Sequence, residues 1–160
     1  MSDERYPEGL PWAKVKTLDA VNDRLNRLHE KWDKGVAYCF SATGTSDTDY
    51  LGLVTVTLTE PDVWAIAYMI TPHEWGKGYA TECAKGVLDF AFTSLSPARI
   101  WAGADESNQA SIRVAEKLGM KRLRSNPQGY KVDSRWIPTT EYQITMDEWS
   151  RQNKGMKSNG

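Results

Sequence analysis

The chain has 160 residues and a mass of 18.1 kDa, a length that suits one domain and buries about two thirds of its unfolded surface without disulfide or metal staples. It carries 20 basic and 21 acidic side chains, 40% hydrophobic residues and 26% charged ones, which excludes wholesale disorder and a nucleic acid held by bulk charge. No apolar run approaches the roughly 18 residues of a spanning helix, and the opening MSDERYPEG has no apolar signal core, so neither a membrane nor a secretory route is expected.

Residues 1–16, with Pro7, Gly9 and Pro11, read as an irregular lead-in. Leu18, Val21, Leu25, Leu28 and Trp32 then recur at three- and four-residue steps, an amphipathic helix that Thr17 caps and Gly35 ends. His29 lies among charges beside that stripe and reads as a surface residue. Residues 36–42, 50–58 and 63–70 are strand-like, and the short turns between them favour antiparallel pairing. The third is almost continuously apolar, as a central strand covered on both faces would be. From Ala80 to Phe92 the period becomes helical, and it breaks at 94–97. Residues 99–104 form another short apolar run, 109–118 a helix that Gly119 ends, and 120–124, 130–136 and 142–146 three further strands. The polar residues 150–160 read as a disordered tail, leaving 17–149 as one domain of mixed α/β class with antiparallel strands first and a parallel crossover after them.

Cys39 and Cys83, with His29 and His73, show neither a CxxC pair nor zinc-finger spacing. Buried, reduced thiols, no metal and a cytoplasmic setting are expected.

The chemistry concentrates where the third strand ends. After Tyr68, Met69 and Ile70 come Thr71-Pro72-His73-Glu74 and then Trp75-Gly76-Lys77-Gly78-Tyr79-Ala80-Thr81, which opens directly into a helix. Glycines there let successive N–H groups converge on an anion, the helix start adds its unsatisfied amides, and Lys77 adds charge. A phosphate is the expected guest; a tight turn that binds nothing is the plain alternative. A P-loop would need glycine at Thr71, a dinucleotide fingerprint glycine at Thr81, and a metalloprotease motif histidine at Lys77.

A fourth pattern fits. Trp75 to Ala80 resembles the Q/R-x-x-G-x-G/A pyrophosphate loop of the GNAT superfamily of N-acetyltransferases, and residues 108–120, NQASIRVAEKLGM, closely resemble the N-x-A-S-I-R-V-x-E-K-L-G-F stretch of the branch that acetylates ribosomal-protein N-termini. The resemblance runs from about residue 18 to 149. It implies the GNAT fold: a mixed, mostly antiparallel central sheet flanked by helices, in which the strands at 63–70 and 99–104 splay apart, usually with a bulge in the first. It further implies that acetyl-CoA enters the cleft, with pantetheine beside Tyr68, Met69 and Ile70. The pyrophosphate would lie on Trp75, Gly76, Lys77, Gly78, Tyr79, Ala80 and Thr81, and Asn108 and Ser111 would lie near the pantetheine and the sulfur. Asn108 also reads as a helix cap.

Three positions depart from the family pattern: Trp75 replaces Q/R, Ala115 stands where many relatives have a tyrosine acid, and Ala65 where relatives have a glutamate. Sixteen residues ahead of Thr17 leave little room for a further strand and helix that most relatives have. That shortens one wall of the acceptor site, exposes a sheet edge and motivates an expected homodimer. The implied activity is acetyl transfer to a small amine or a peptide N-terminus; the competing reading is a silent acyl-CoA-binding module. Ser111 is the expected general acid, with Tyr68 and Glu74 as weaker catalytic candidates and His73 and Asp105 as further groups near the cleft mouth.

Overall fold

The computed structural model describes residues 17–46, 49–132 and 134–157; the lead-in 1–16, and with it the inferred shortening, lies outside them. The elements in chain order are α1 (Leu18–Asp33), β1 (Ala37–Thr43), β2 (Tyr50–Glu60), β3 (Val63–Ile70), α2 (Tyr79–Phe90), β4 (Arg99–Asp105), α3 (Gln109–Lys117), β5 (Lys121–Val132), β6 (Arg135–Thr145) and α4 (Met146–Lys157). One six-stranded sheet runs in the order β1-β2-β3-β4-β6-β5, antiparallel except for the β3–β4 pair. The single parallel pair follows from connectivity: α2 carries the chain from β3 to a directly adjacent β4 in the same direction. By contrast, α3 carries it from β4 to a β5 that also runs the same way but is separated from β4 by the antiparallel β6.

Alternation along the strands separates the two faces. Even-numbered Val54, Val56, Trp64, Ile66, Ile100, Ala102, Tyr142 and Ile144 join Ala84, Leu88 and Ala91 at the α2 end and Ala115 and Leu118 at the α3 end in one buried core. Trp32 of α1 sets its ring edge-on against Tyr38 and Phe40, and Trp149 of α4 stacks on Phe92, with centroids 5.1 Å apart. Odd-numbered Leu51, Leu53, Thr55 and Ala65 stay half-buried and Ala67 is exposed. Their alternation with the core residues is why the strand pattern of β2 was so clear in the sequence.

Two expectations fail at the C-terminal end. Residues 120–146 form two long strands instead of three short ones. Pro127, Gln128 and Gly129 lie between the expected strands 120–124 and 130–136, and the register absorbs them as a bulge, passing from Asn126↔Thr139 to Tyr130↔Ile137. The residues from 150 onward do not form a disordered tail as far as Lys157, because α4 continues through them. Its start is a capping box: the Glu148 carboxylate accepts from the Thr145 N–H at 2.9 Å, and Thr145 Oγ1 accepts from the Glu148 N–H at 3.3 Å. Lys121 Nζ then reaches Glu148 at 2.7 Å, and Trp149 Nε1 donates to Asp89 at 2.8 Å, tying the helix to β5 and α2.

Candidate functional site

The cleft begins where the sheet parts. β3 and β4 pair only at Val63↔Arg99, Trp64↔Ile100 and Ala65↔Trp101, and beyond that point each continues alone. Thr71 N–H donates to Leu51 O at 2.7 Å in register with Met69↔Leu53, so by antiparallel alternation the amides and carbonyls of Met69 and Ala67 serve β2, and those of Tyr68 and Ile70 turn to the gap. Trp75 Nε1 takes the Ile70 carbonyl at 2.7 Å. Tyr68 is thereby left as the residue whose backbone donor and acceptor both face the opening. The bulge expected in β3 is absent: its register with β2 is continuous from Trp64 to Ile70, and the irregularity falls between Leu58 and Glu60.

Beyond the strand, a short 3-10 turn at Pro72–Glu74 leads into the glycine loop. Gly76 and Gly78 have φ of +80° and +90°, left-handed values that other residues adopt only with strain. A Cβ built on either would meet nothing within 4 Å, so backbone conformation, not crowding, calls for glycine here, and the loop surface is open to a guest. Gly78 is the N-cap of α2 and supplies no side chain to the first-turn amides. Those amides and the positive helix end are therefore available to an anion. Lys77 points elsewhere: its ammonium pairs with Glu74 at 3.0 Å.

The opposite wall is α3. Asn108 is its N-cap, the side-chain oxygen accepting from the Ser111 N–H at 3.1 Å. The Tyr68 hydroxyl donates to the Ser111 carbonyl at 2.9 Å, a strut from β3 across the parted seam to the first turn of α3. Burial, with a smaller contribution from Tyr142, holds the Tyr68 phenol well above its ordinary pKa. It is thus a fixed neutral donor and a poor base. The Ser111 hydroxyl lines the cleft and has no hydrogen-bond partner among the described residues. Asp105 is engaged away from the cleft, accepting from the Ser107 N–H at 2.8 Å and the Ser107 hydroxyl at 2.7 Å. It also bonds Tyr130, whose hydroxyl is pushed up to about 12 by burial first and then by this carboxylate. His73 is exposed, and Ala115 is buried in the core at 1% exposure.

One cleft of about 340 Å³ brings together Tyr68, Met69, Ile70, Glu74, Trp75, Gly76, Gly78, Tyr79, Ala80, Thr81, Asn108 and Ser111. Of the residues singled out in the sequence for cosubstrate or catalysis, Lys77, His73 and Asp105 lie outside this lining. Sequence reasoning missed Ala110, Arg113, Val114 and Lys117. The signal was present: with Ser111 they recur at three- and four-residue steps along one side of a helix whose start was already anchored. No cluster of metal-ligating side chains occurs among the described residues.

The chain resembles known proteins in sequence and in fold. YkkB of Bacillus subtilis is 42% identical over 69 residues, 43% of this chain and 40% of that protein. The N-acetyltransferase YnaD of the same organism is 30% identical over 87 residues, 54% and 51% of the two chains. The chain thus aligns with about half, or less, of the length of these relatives. Among solved structures, a ribosomal-protein-S5-alanine acetyltransferase from Vibrio fischeri superposes with a TM-score of 0.75 at 18% identity, covering 84% of this chain and 78% of that one. A spermidine N-acetyltransferase from Vibrio cholerae, solved with CoA and spermine, gives 0.73 at 16% identity, covering 86% and 80%; at these identities the likeness is one of fold. Residues 1–121 match the family described as Acetyltransferase (GNAT) domain. With three quarters of its length inside that match and a sheet that parts at the seam where the family's does, the chain belongs to the GNAT acetyltransferases.

Proposed function

We propose that the protein is an acetyl-CoA-dependent N-acetyltransferase acting on a small primary amine or a peptide N-terminus. The observation that carries the reading is one cleft that joins the open N-terminus of α2, the gap-facing backbone of Tyr68 and the unpaired hydroxyl of Ser111. The two ends differ as the cosubstrate does: amides and a helix dipole suit the pyrophosphate, and a strand edge with the N–H groups of Tyr68 and Ile70 and the Tyr68 carbonyl turned to the gap suits the pantetheine amides.

Acetyl-CoA supplies an activated acetyl thioester. The chain's part is then to orient it, bind the acceptor and handle two protons. An α-amine with a pKa near 8 is partly neutral at pH 7, whereas a lysine-like amine near 10.4 costs about 4–5 kcal/mol to deprotonate there. An α-amine therefore needs little more than positioning and donors on the carbonyl oxygen. We assign to Ser111 Oγ donation of a hydrogen bond to the leaving sulfur and to Tyr68 the placement of Ser111. Glu74 is the cleft-lining carboxylate, and its ion pair with Lys77 would have to open before it could accept a proton. The names of the structural neighbours, a spermidine acetyltransferase and a ribosomal-protein acetyltransferase, support the two acceptor classes.

A screen of polyamines, small amines and peptides with free N-termini, read as CoA thiol release, tests the reading. Turnover with at least one class is expected. Tight acetyl-CoA binding with no thiol release from any acceptor would instead make the chain a binding module.

A further inference from the structure

The gap between β3 and β4 has a second mouth, on the face of the sheet away from the cleft. The strand residues that meet α2 and α3 in the core are even-numbered, so the cleft those helices wall, with Ser111, lies on that side. On the odd-numbered face the gap is flanked by Ala67 of β3 and Gly103 of β4, both small and both exposed. Trp101, the last residue of β4 paired with β3, lies at its foot. The indole Nε1 donates to Thr59 Oγ1 at 3.2 Å, and a Cβ on Gly103 would meet Trp101 Cζ3 at 3.4 Å, so the ring lies along this face with one edge at the glycine. Beside Gly103 stands Glu141, the one buried charged side chain among the described residues, at 7% exposure. Gly103, Glu141 and Arg124 are register neighbours on β4, β6 and β5.

We propose that Arg124, aimed by Glu141, binds a carboxylate of the acceptor as its amine enters the gap from the odd-numbered face; the assignment rests on the acetyltransferase reading above and narrows its acceptor to a peptide-like amine that carries a carboxylate. Glu141 accepts from Arg124 Nε at 2.7 Å through Oε2 and from Asn126 Nδ2 at 3.0 Å through Oε1. Only Nε of the guanidinium is spent, and Nη1 and Nη2 have no partner among the described residues. That outer fork is the edge that takes a carboxylate through two parallel hydrogen bonds. The Arg124 side chain is 66% exposed and that of Glu141 only 9%. Such a pair adds little to stability, and what it does fix is the direction of the guanidinium. Its hydrogen bond to Glu141 first, and then that carboxylate's charge, raise the Arg124 pKa, with Glu60 adding less, so the group is a permanent cation. Neighbouring strands lie about 4.8 Å apart, which sets a guanidinium held above β6 roughly 5 Å beyond the β4 edge of the gap. Extended chain covers about 3.3–3.6 Å per residue. A free amino acid is therefore too short to fill both positions, a dipeptide spans them, and a polyamine meets a repelling charge. Glu141 acts through Arg124 and is a positioning residue.

CoA thiol release with alanyl-alanine, alanyl-alaninamide and spermidine as acceptors tests the site. Wild type is expected to favour the free dipeptide over its amide at least tenfold in kcat/KM. Arg124→Ala should bring that ratio below twofold and leave the rate with the amide within twofold of wild type. Arg124→Lys, which keeps the charge and loses the fork, should fall between. Glu141→Gln should raise KM for the free dipeptide with kcat kept and the amide unaffected, whereas a merely structural role would move both substrates alike. Arg124→Ala strips Glu141 of its counter-charge, so if it does not fold, Arg124→Ala/Glu141→Gln, which removes both charges, takes its place. Arg27→Ala on α1 controls for net charge and should leave the ratio unchanged. A folded Arg124 variant with the wild-type ratio overturns the carboxylate site alone, as does a wild type that acetylates the amide equally well or turns over only amines without a carboxylate. No thiol release from wild type with any of these acceptors, or with any in the wider screen, overturns the acetyltransferase reading and the site with it.

Discussion

Ser111 shows how much one residue's surroundings decide. Its N–H is taken by Asn108 and its carbonyl by Tyr68, so the backbone is fixed at both polar groups and the hydroxyl alone is left to chemistry. Ser111→Ala is expected to lower turnover by roughly 10²–10⁴-fold if the hydroxyl acts as general acid, with acetyl-CoA affinity nearly unchanged; steady-state rates with an identified acceptor, beside calorimetry, read the two effects separately. At Gly78 the two effects reverse. Gly78→Asp places a carboxylate at the anion site and a side chain at φ +90°, and is expected to weaken acetyl-CoA binding at least tenfold in a folded protein. Gly78→Ala carries the strain without the charge, so the difference between the two variants isolates electrostatics. These residues were legible in the sequence because their spacing is dictated by a strand end, a tight turn and a helix start. Arg113 and Lys117 were not, because a cation on a helix reads as solvated until its wall is known.

At the level of elements, α4 is held by chemistry that a polar composition concealed. Thr145-Met146-Asp147-Glu148 is a capping-box pattern, legible in principle, but the residues after it lack an apolar stripe long enough to announce a helix. Glu148 is pulled down to about 2, first by its hydrogen bond from Lys121 and then by the Thr145 N–H. A carboxylate depressed from its ordinary 4.5 contributes stability that is fully present above that value and lost as pH falls toward 2. Melting temperatures of wild type and Glu148→Gln should therefore differ by a constant amount above about pH 5.5 and converge as pH approaches 2, with solvent screening keeping the difference modest. A gap that stays constant down to pH 2 would detach this stability from Glu148 ionisation. The β5–β6 pair was misread for a different reason. Prolines 127 and 138 both lie inside strands, which is tolerable beside a bulge near a sheet edge and invisible without the register.

In the whole molecule, the helices placed by their contacts gather over the even-numbered side of the sheet, and among the described residues β1 ends the sheet with an unpaired edge. Beside that edge α1 has no buried residue, and Leu18, Leu25 and Trp32 are 73%, 48% and 42% exposed. We keep the homodimer as a proposal on these grounds, with light scattering at micromolar concentration expected to give twice 18.1 kDa; a monomer mass would overturn it. The sequence made the order of elements and the cleft's two walls readable, since periodicity and turn chemistry are local. Which side of the sheet is covered, and which cations line the cleft, depend on long-range register and stayed out of reach.

The parted seam also leaves a mark in time. Within β3 the amides of Ala67 and Met69 are spent on β2, whereas those of Tyr68 and Ile70 have no strand partner. Hydrogen–deuterium exchange should therefore alternate residue by residue along one continuous strand, slow at 67 and 69 and fast at 68 and 70. If pantetheine takes the Tyr68 N–H, whose residue alone turns both donor and acceptor to the gap, adding acetyl-CoA should slow exchange at Tyr68 more than at Ile70, turning a single backbone amide into a site-resolved clock for occupancy.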